Sequence, residues 1–158
     1  MLGKVHKATL AGLVFYLCVV SGATGQSYEP HDVFATFVDP EGEGHIQITD
    51  CGDGTPCGTI TWLEPVALFA EEGKTPENYT TLDGRPVLGL QVLEGFKRKR
   101  KDWRGGTIYL IKEDDTFPVR IKRPENGDLY LKGCIAVVLC QTEVWPLVPD
   151  STEAALAE

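Results

Sequence analysis

Three groups of side chains in this chain have the types and spacing to do chemistry. The first is four cysteines in two equally spaced pairs, Cys51 with Cys57 and Cys134 with Cys140. Cysteines so grouped hold a metal, carry redox chemistry or form disulfides. A zinc site wants C-x-x-C spacing, which neither pair has. Four cysteines allow three pairings. An extended chain between the members of either pair would hold the sulfurs about 20 Å apart, beyond disulfide reach. A local bond therefore needs a turn. Gly52, Asp53, Gly54 and Pro56 supply one in the first interval; Ile135-Ala-Val-Val-Leu139 contains no turn residue. The pairings Cys51–Cys57 and Cys134–Cys140 are the working expectation, and the second rests on a turn that the sequence does not display.

The second group is cationic. Lys97, Arg98, Lys99, Arg100 and Lys101 run consecutively, with Arg104 close behind. Such a loop could attract an anionic head group, a lipopolysaccharide phosphate or an acidic partner; the plainer alternative is a solvated hairpin tip. The third group is aromatic. Trp62, Trp103, Tyr109 and Trp145 stand at or near predicted strand ends, where they either line a cavity mouth or pack the ends of a barrel. Arg85, beside Asp83 in a turn, is a further candidate: a buried arginine can clamp a carboxylate ligand, whereas an exposed one makes a structural ion pair. For catalysis there is no constellation. His6, His31 and His45 are scattered, and no serine elbow or cysteine with a base is visible. The chain reads as a non-enzyme without a cofactor.

The elements that must position these groups are short. Residues 1–25 have the three parts of a secretory signal: Lys4, His6 and Lys7, then apolar Leu10–Val20, then small residues through Gly25. The apolar run is shorter than the roughly 20 residues of a spanning helix, so the mature chain, beginning near Gln26, is expected to be exported, periplasmic or extracellular, and not membrane-spanning. An exported chain with an even cysteine number reads as a disulfide framework. Without Lys4 and Lys7 the chain has 13 basic and 23 acidic residues, a net charge of −10, which argues against nucleic acid as a partner.

Downstream, alternating runs follow one another between Gly, Asp, Asn and Pro. Strands are predicted at 33–38, 45–49, 59–63, 87–93, 107–111, 116–123, 128–135 and 141–147. Ile46 and Ile48 share one face, as do Phe117, Val119 and Ile121 opposite Arg120 and Lys122. Pro124-Glu-Asn-Gly127 is a hairpin signal. Ala67–Gly73 allows one helical turn within a long connection, and residues 149–158 read as a flexible acidic tail. Seven to nine strands at roughly 8–12 residue spacing predict a sandwich or barrel. Hairpins in series lose their exposed edges by closing on themselves, so residues 26–148 are expected to form one small all-β, antiparallel, up-and-down β-barrel, disulfide-stapled.

In order along the chain stand Cys51-Gly, Cys57-Gly-Thr-Ile-Thr-Trp-Leu63, Arg85-Pro-Val-Leu-Gly-Leu90, Glu94-Gly-Phe96, Trp103-Arg-Gly-Gly-Thr-Ile-Tyr109, Leu131-Lys-Gly-Cys134 and Thr142-Glu-Val-Trp145. This set resembles the family known as domain of unknown function 2147, small exported bacterial proteins. The resemblance implies a calycin-like barrel, lipocalin-like in architecture, and no established activity. It departs in places. The family's Gly-x-Trp of the first strand is Asp32 and Phe34 here, and its closing Trp-x-Arg reads Trp145-Pro-Leu147. Two functions follow as expectations. The barrel binds a small apolar or amphipathic ligand near Trp62, Arg85, Trp103 and Tyr109; or it is a filled, structural barrel of the envelope that works through the basic loop. A cavity inside would favour the first.

Overall fold

The computed structural model describes residues 27–65, 73–136 and 139–149. The expected signal segment, the helical turn short of Gly73 and the tail beyond Pro149 lie outside them. Among the described residues there are nine strands: β1 (Thr36–Val38), β2 (Gly44–Asp50), β3 (Pro56–Leu63), β4 (Gln91–Glu94), β5 (Lys97–Arg98), β6 (Trp103–Leu110), β7 (Asp115–Lys122), β8 (Leu129–Ala136) and β9 (Leu139–Trp145). They form one antiparallel sheet in the order β1-β2-β3-β4-β6-β7-β8-β9, with β5 beside β6. The sheet curls until its ends meet. Around the pair Phe37 and Leu147, the Val38 N–H donates to Pro146 O and the Val148 N–H to Thr36 O, both at 2.9 Å. This is the expected up-and-down antiparallel barrel, with its two ends joined at one bridge beyond β9.

Alternation builds the interior. Ile46 and Ile48 of β2, Val119 and Ile121 of β7, and Leu129 and Leu131 of β8 point inward and are buried. Each such side chain contributes about 1.5–3 kcal/mol by leaving water. Register shifts break the period in four of the strand pairs among the described residues, and two of them redirect the candidate site residues. In β2–β3, His45 pairs with Trp62 but Ile46 with Ile60, so Thr61 is the extra residue. In β6–β7, Trp103 pairs with Ile121 but Gly106 with Val119, with Gly105 at a positive φ of 73° between them. Such bulges bend a strand and re-aim the side chains beyond it.

Two predicted strands are shorter than expected. The run at 33–38 is a strand only from Thr36, because the Val33 and Ala35 amides are used in local turns to His31 O and Val33 O, although Ala35 O still accepts the Ile48 N–H of β2 at 2.8 Å. The run at 87–93 begins with a turn at Gly89, φ 86°, closed by the Leu90 N–H on Val87 O, so β4 starts at Gln91.

Both disulfides are local: Cys51–Cys57 and Cys134–Cys140, with Cα–Cα distances of 5.2 and 4.0 Å. Cys134 and Cys140 stand opposite each other across β8 and β9. The bond is thus set by strand register, since β8 and β9 pair from Leu129 opposite Trp145 to Ala136 opposite Leu139; residues 137–138 lie outside the described residues.

One end of the barrel is laced shut by residues 28–33, which cross beneath the β7–β8 and β5–β6 turns. Pro30 O accepts the Arg123 N–H at 3.1 Å, and His31 O accepts Trp103 Nε1–H at 3.1 Å. His31 Nε2–H donates to Lys99 O. At the centre lies Arg123, 4 % exposed. Its Nε donates to Gly127 O at 2.7 Å and its Nη1 to Asp32 O at 3.1 Å. Its guanidinium lies 3.7 Å from the Tyr28 ring centre and 5.5 Å from that of Phe37. An arginine thus closes this end, directly after β7 and stacked on Tyr28 and Phe37.

Candidate functional site

Among the described residues, the other end of the barrel is open. There the β1–β2 and β6–β7 turns and the long β3–β4 connection surround a pocket of 240 Å³. Its wall is apolar, from Ile46, Ile60, Leu63, Val92, Ile108 and Trp145. Those of β2, β3, β6 and β9 are inward positions, so the alternation that makes the core also makes most of the wall; Val92 is the unpaired residue at the β3–β4 register shift, buried next to Leu93. Tyr79 and Tyr109 line it higher up. Its rim is acidic: Asp39, Glu41, Glu43 and Glu113 face one cation, Lys112, and Glu143 adds a carboxylate lower down. Glu143 Oε2 accepts the Trp145 Nε1–H at 3.2 Å, which fixes the indole.

The rim is organised by two contacts. Asp39 Oδ1 accepts the Glu43 N–H at 2.7 Å and shapes the β1–β2 turn. Burial pushes the Asp39 carboxyl above its ordinary pKa, against the backbone N–H bonds it accepts. Lys112 Nζ then reaches across the mouth to Glu43 Oε2 at 2.8 Å, tying the β6–β7 turn to the β1–β2 turn. The hydrogen bond to Glu43 raises the lysine pKa. A folded-state pKa above the unfolded one means that the pair's contribution is complete below the ordinary lysine value and is lost as pH rises through the folded value. The pair is partly solvated, so it contributes under about 1 kcal/mol. Lys112→Gln is accordingly expected to change stability little while speeding ligand exchange at the mouth. The stability difference from wild type should be flat between pH 6 and 9 and vanish at more alkaline pH; urea unfolding across pH together with stopped-flow release of an apolar dye checks both.

The structure brings only part of the predicted ligand set together. Tyr109 lines the pocket, and its hydroxyl donates to Asp114, which raises the tyrosine pKa. Arg85 lies outside the pocket, its side chain 48 % exposed. Its Nε donates to Asp83 at 2.7 Å, and its guanidinium lies 5.0 Å from the Tyr109 ring centre. The Thr81 hydroxyl donates to Asp83 and is the main cause of that carboxyl's lowered pKa. Arg85 thus positions Tyr109 from outside, and the condition for a carboxylate clamp, burial of the arginine, is not met. Trp62 points outward, 36 % exposed, with its ring 4.4 Å from that of His45. The Thr61 bulge turned it away: without the extra residue Trp62 would share the inward face of Ile60. Trp103 is buried at the closed end, under Arg98 and beside His31. Lys97, Arg98, Lys99, Arg100, Lys101 and Arg104 form and flank the β5–β6 hairpin tip, at the end away from the mouth. Sequence reasoning missed the rim. Asp39, Glu43 and Lys112 read as turn residues, and only their convergence marks a site. Among the described residues no group of His, Cys, Asp and Glu could hold a metal.

A curled antiparallel meander around an apolar pocket with a polar mouth is a lipocalin-like architecture. The chain belongs to the DUF2147 family, described as uncharacterized protein conserved in bacteria, whose model matches residues 36–146. Protein HP1028 from the human pathogen Helicobacter pylori, described as belonging to the lipocalin family, superposes with a TM-score of 0.57. It is 15 % identical, and the match covers 83 % of this chain and 90 % of that one, which is a likeness of fold. No curated protein matches the chain. Among the described residues no helix is long and apolar enough to cross a membrane.

Proposed function

We propose that the chain is an exported carrier or sensor that holds a small apolar or amphipathic molecule in the barrel, acyl or ring portion inward, polar head at the rim. The observation that carries this reading is the 240 Å³ apolar pocket under a polar mouth; a filled barrel would have favoured a purely structural protein. The volume is below the 300–1,000 Å³ usual for drug-sized ligands, so the ligand is small or partly exposed. The acidic rim selects its head. A carboxylate entering there would meet several carboxylates and one lysine already paired with Glu43, so the head is neutral or cationic. Export is supported by the three-part leader and by two disulfides, which persist in oxidising compartments. The intact mass of the protein recovered from the envelope tests cleavage near Gln26.

The binding test is displacement of Nile red by octylamine, octanol and octanoate. Octylamine and octanol should displace it and octanoate should be at least tenfold weaker. Val92→Phe, which fills the pocket from β4, should reduce all binding tenfold or more and leave the thermal midpoint close to wild type. A folded wild-type protein that takes up neither Nile red nor octanol is not a carrier of this kind.

A further inference from the structure

We propose that the outer face of β6, β7 and β8, together with the β5–β6 hairpin tip, docks on an anionic, phosphate-bearing lipid membrane. The cationic run at Lys97–Lys101 is only part of this face. Strand register places Arg120 directly opposite Lys132, and Lys97 directly opposite Arg104. Lys122 lies on the same side, over the ring of Tyr130. A shallow groove of 380 Å³ runs between Lys101, Arg104, Arg120, Lys122 and Lys132. Nine of the chain's 15 basic residues are gathered here.

Like charges directly opposite in a sheet are destabilising, and this face contains two such pairs. One carboxylate answers them: Asp102, largely buried, takes Arg104 Nε at 2.6 Å and Arg120 Nη1 at 3.9 Å. Among the described residues, Lys97, Lys99, Arg100, Lys101, Lys122 and Lys132 have no carboxylate in ion-pair contact. An array of phosphates would relieve a repulsion that the fold leaves standing. The remaining charge selects the form of that array. Outside this face the chain has six basic residues against 22 acidic ones. A long flexible polyanion would run onto acidic neighbours, whereas a plane tangent to a convex barrel meets this face alone.

The test is co-sedimentation of the full chain with vesicles of equal parts phosphatidylglycerol and phosphatidylcholine, against vesicles of phosphatidylcholine. The neutral vesicles account for the apolar run at Leu10–Val20. Binding to the anionic vesicles should be at least tenfold stronger and should collapse in about 1 M salt, where the screening length is about 3 Å. Arg120→Gln with Lys132→Gln, on β7 and β8 and outside the consecutive cationic run, should weaken anionic binding about 25-fold, at about fivefold per basic residue. The same variant should melt close to wild type, because removing a like-charge pair offsets the loss of the 3.9 Å Arg120–Asp102 contact, while Arg104 still holds Asp102 at 2.6 Å. Equal binding to both vesicles, or unchanged binding by the Arg120/Lys132 variant, overturns the proposal. Full displacement by inorganic pyrophosphate at matched phosphate also overturns it, in favour of a soluble anion.

Discussion

Arg123→Ala is expected to lower stability by about 5 kcal/mol, which is a large share of the 5–15 kcal/mol available to a domain of this size. Three losses combine. Gly127 O and Asp32 O lose donors from a charged group, at about 1.5–3 kcal/mol for each such bond. The Tyr28 face loses a guanidinium 3.7 Å from its centre, a desolvated contact of about 2 kcal/mol. A void opens where the side chain was. Asp32 moderates the sum, because its carboxylate is half exposed and 4.0 Å away, so water takes over its solvation. Arg123→Met separates volume from hydrogen bonding and should recover about 1 kcal/mol. Arg123→Lys keeps the charge but not the planar fork, and should still cost about 2 kcal/mol. Urea unfolding of the three variants checks the order Ala, Met, Lys from least to most stable. A lysine variant equal to wild type would mean that charge alone closes this end. The consequence for function is direct. Arg123 seals the barrel opposite the pocket, so partial unfolding there turns a cup into a tube and raises ligand loss without touching a pocket residue.

The parts of this molecule that were legible in its residues are those set by local period. The inward faces of β2 and β7 could be read from Ile46, Ile48, Val119 and Ile121, and the β7–β8 turn from Asn126-Gly127. The cysteine pairing was half legible: Gly52 and Pro56 announce one turn, while the second bond depends on the register that puts Cys134 opposite Cys140. What was not legible is set by bulges and by distance. One extra residue at Thr61 turned Trp62 from the pocket to the surface. Arg123 looked like the end of a strand, since its partners Asp32 and Tyr28 are about 90 residues away in sequence. The rim was invisible for the same reason: Glu43 and Lys112 are 69 residues apart, and each alone is an ordinary turn residue. The basic run was legible, but its continuation through Arg120 and Lys132 is a property of strand pairing.

Gly106→Val should cost about 3 kcal/mol, the upper part of the range for forcing volume into a packed interior. At Gly106 a Cβ would lie 2.4 Å from two atoms of the Phe96 ring and 2.6 Å from a third. The conflict is with the body of a buried ring, since Phe96 is 2 % exposed, so no small rotation relieves it. The glycine allows the ring to lie flat on the strand, an arrangement that restores the apolar cover a glycine lacks. It sits where both strands deviate: Gly95, at φ 77°, separates β4 from β5, and the β6 bulge ends at Gly106. The ring and the glycine together bend the sheet and carry the basic hairpin beyond the barrel wall. A double-mutant cycle with Phe96→Ala tests this. Each single change should be strongly destabilising, and the pair together should cost at least 1 kcal/mol less than their sum, because a valine fills space that the missing ring vacates. Simple additivity would place the cost of Gly106→Val in the backbone and not in the ring. If the bend is what aims the hairpin, the double variant should refold with its pocket intact yet bind anionic vesicles more weakly than wild type, although every cation of the face is still present.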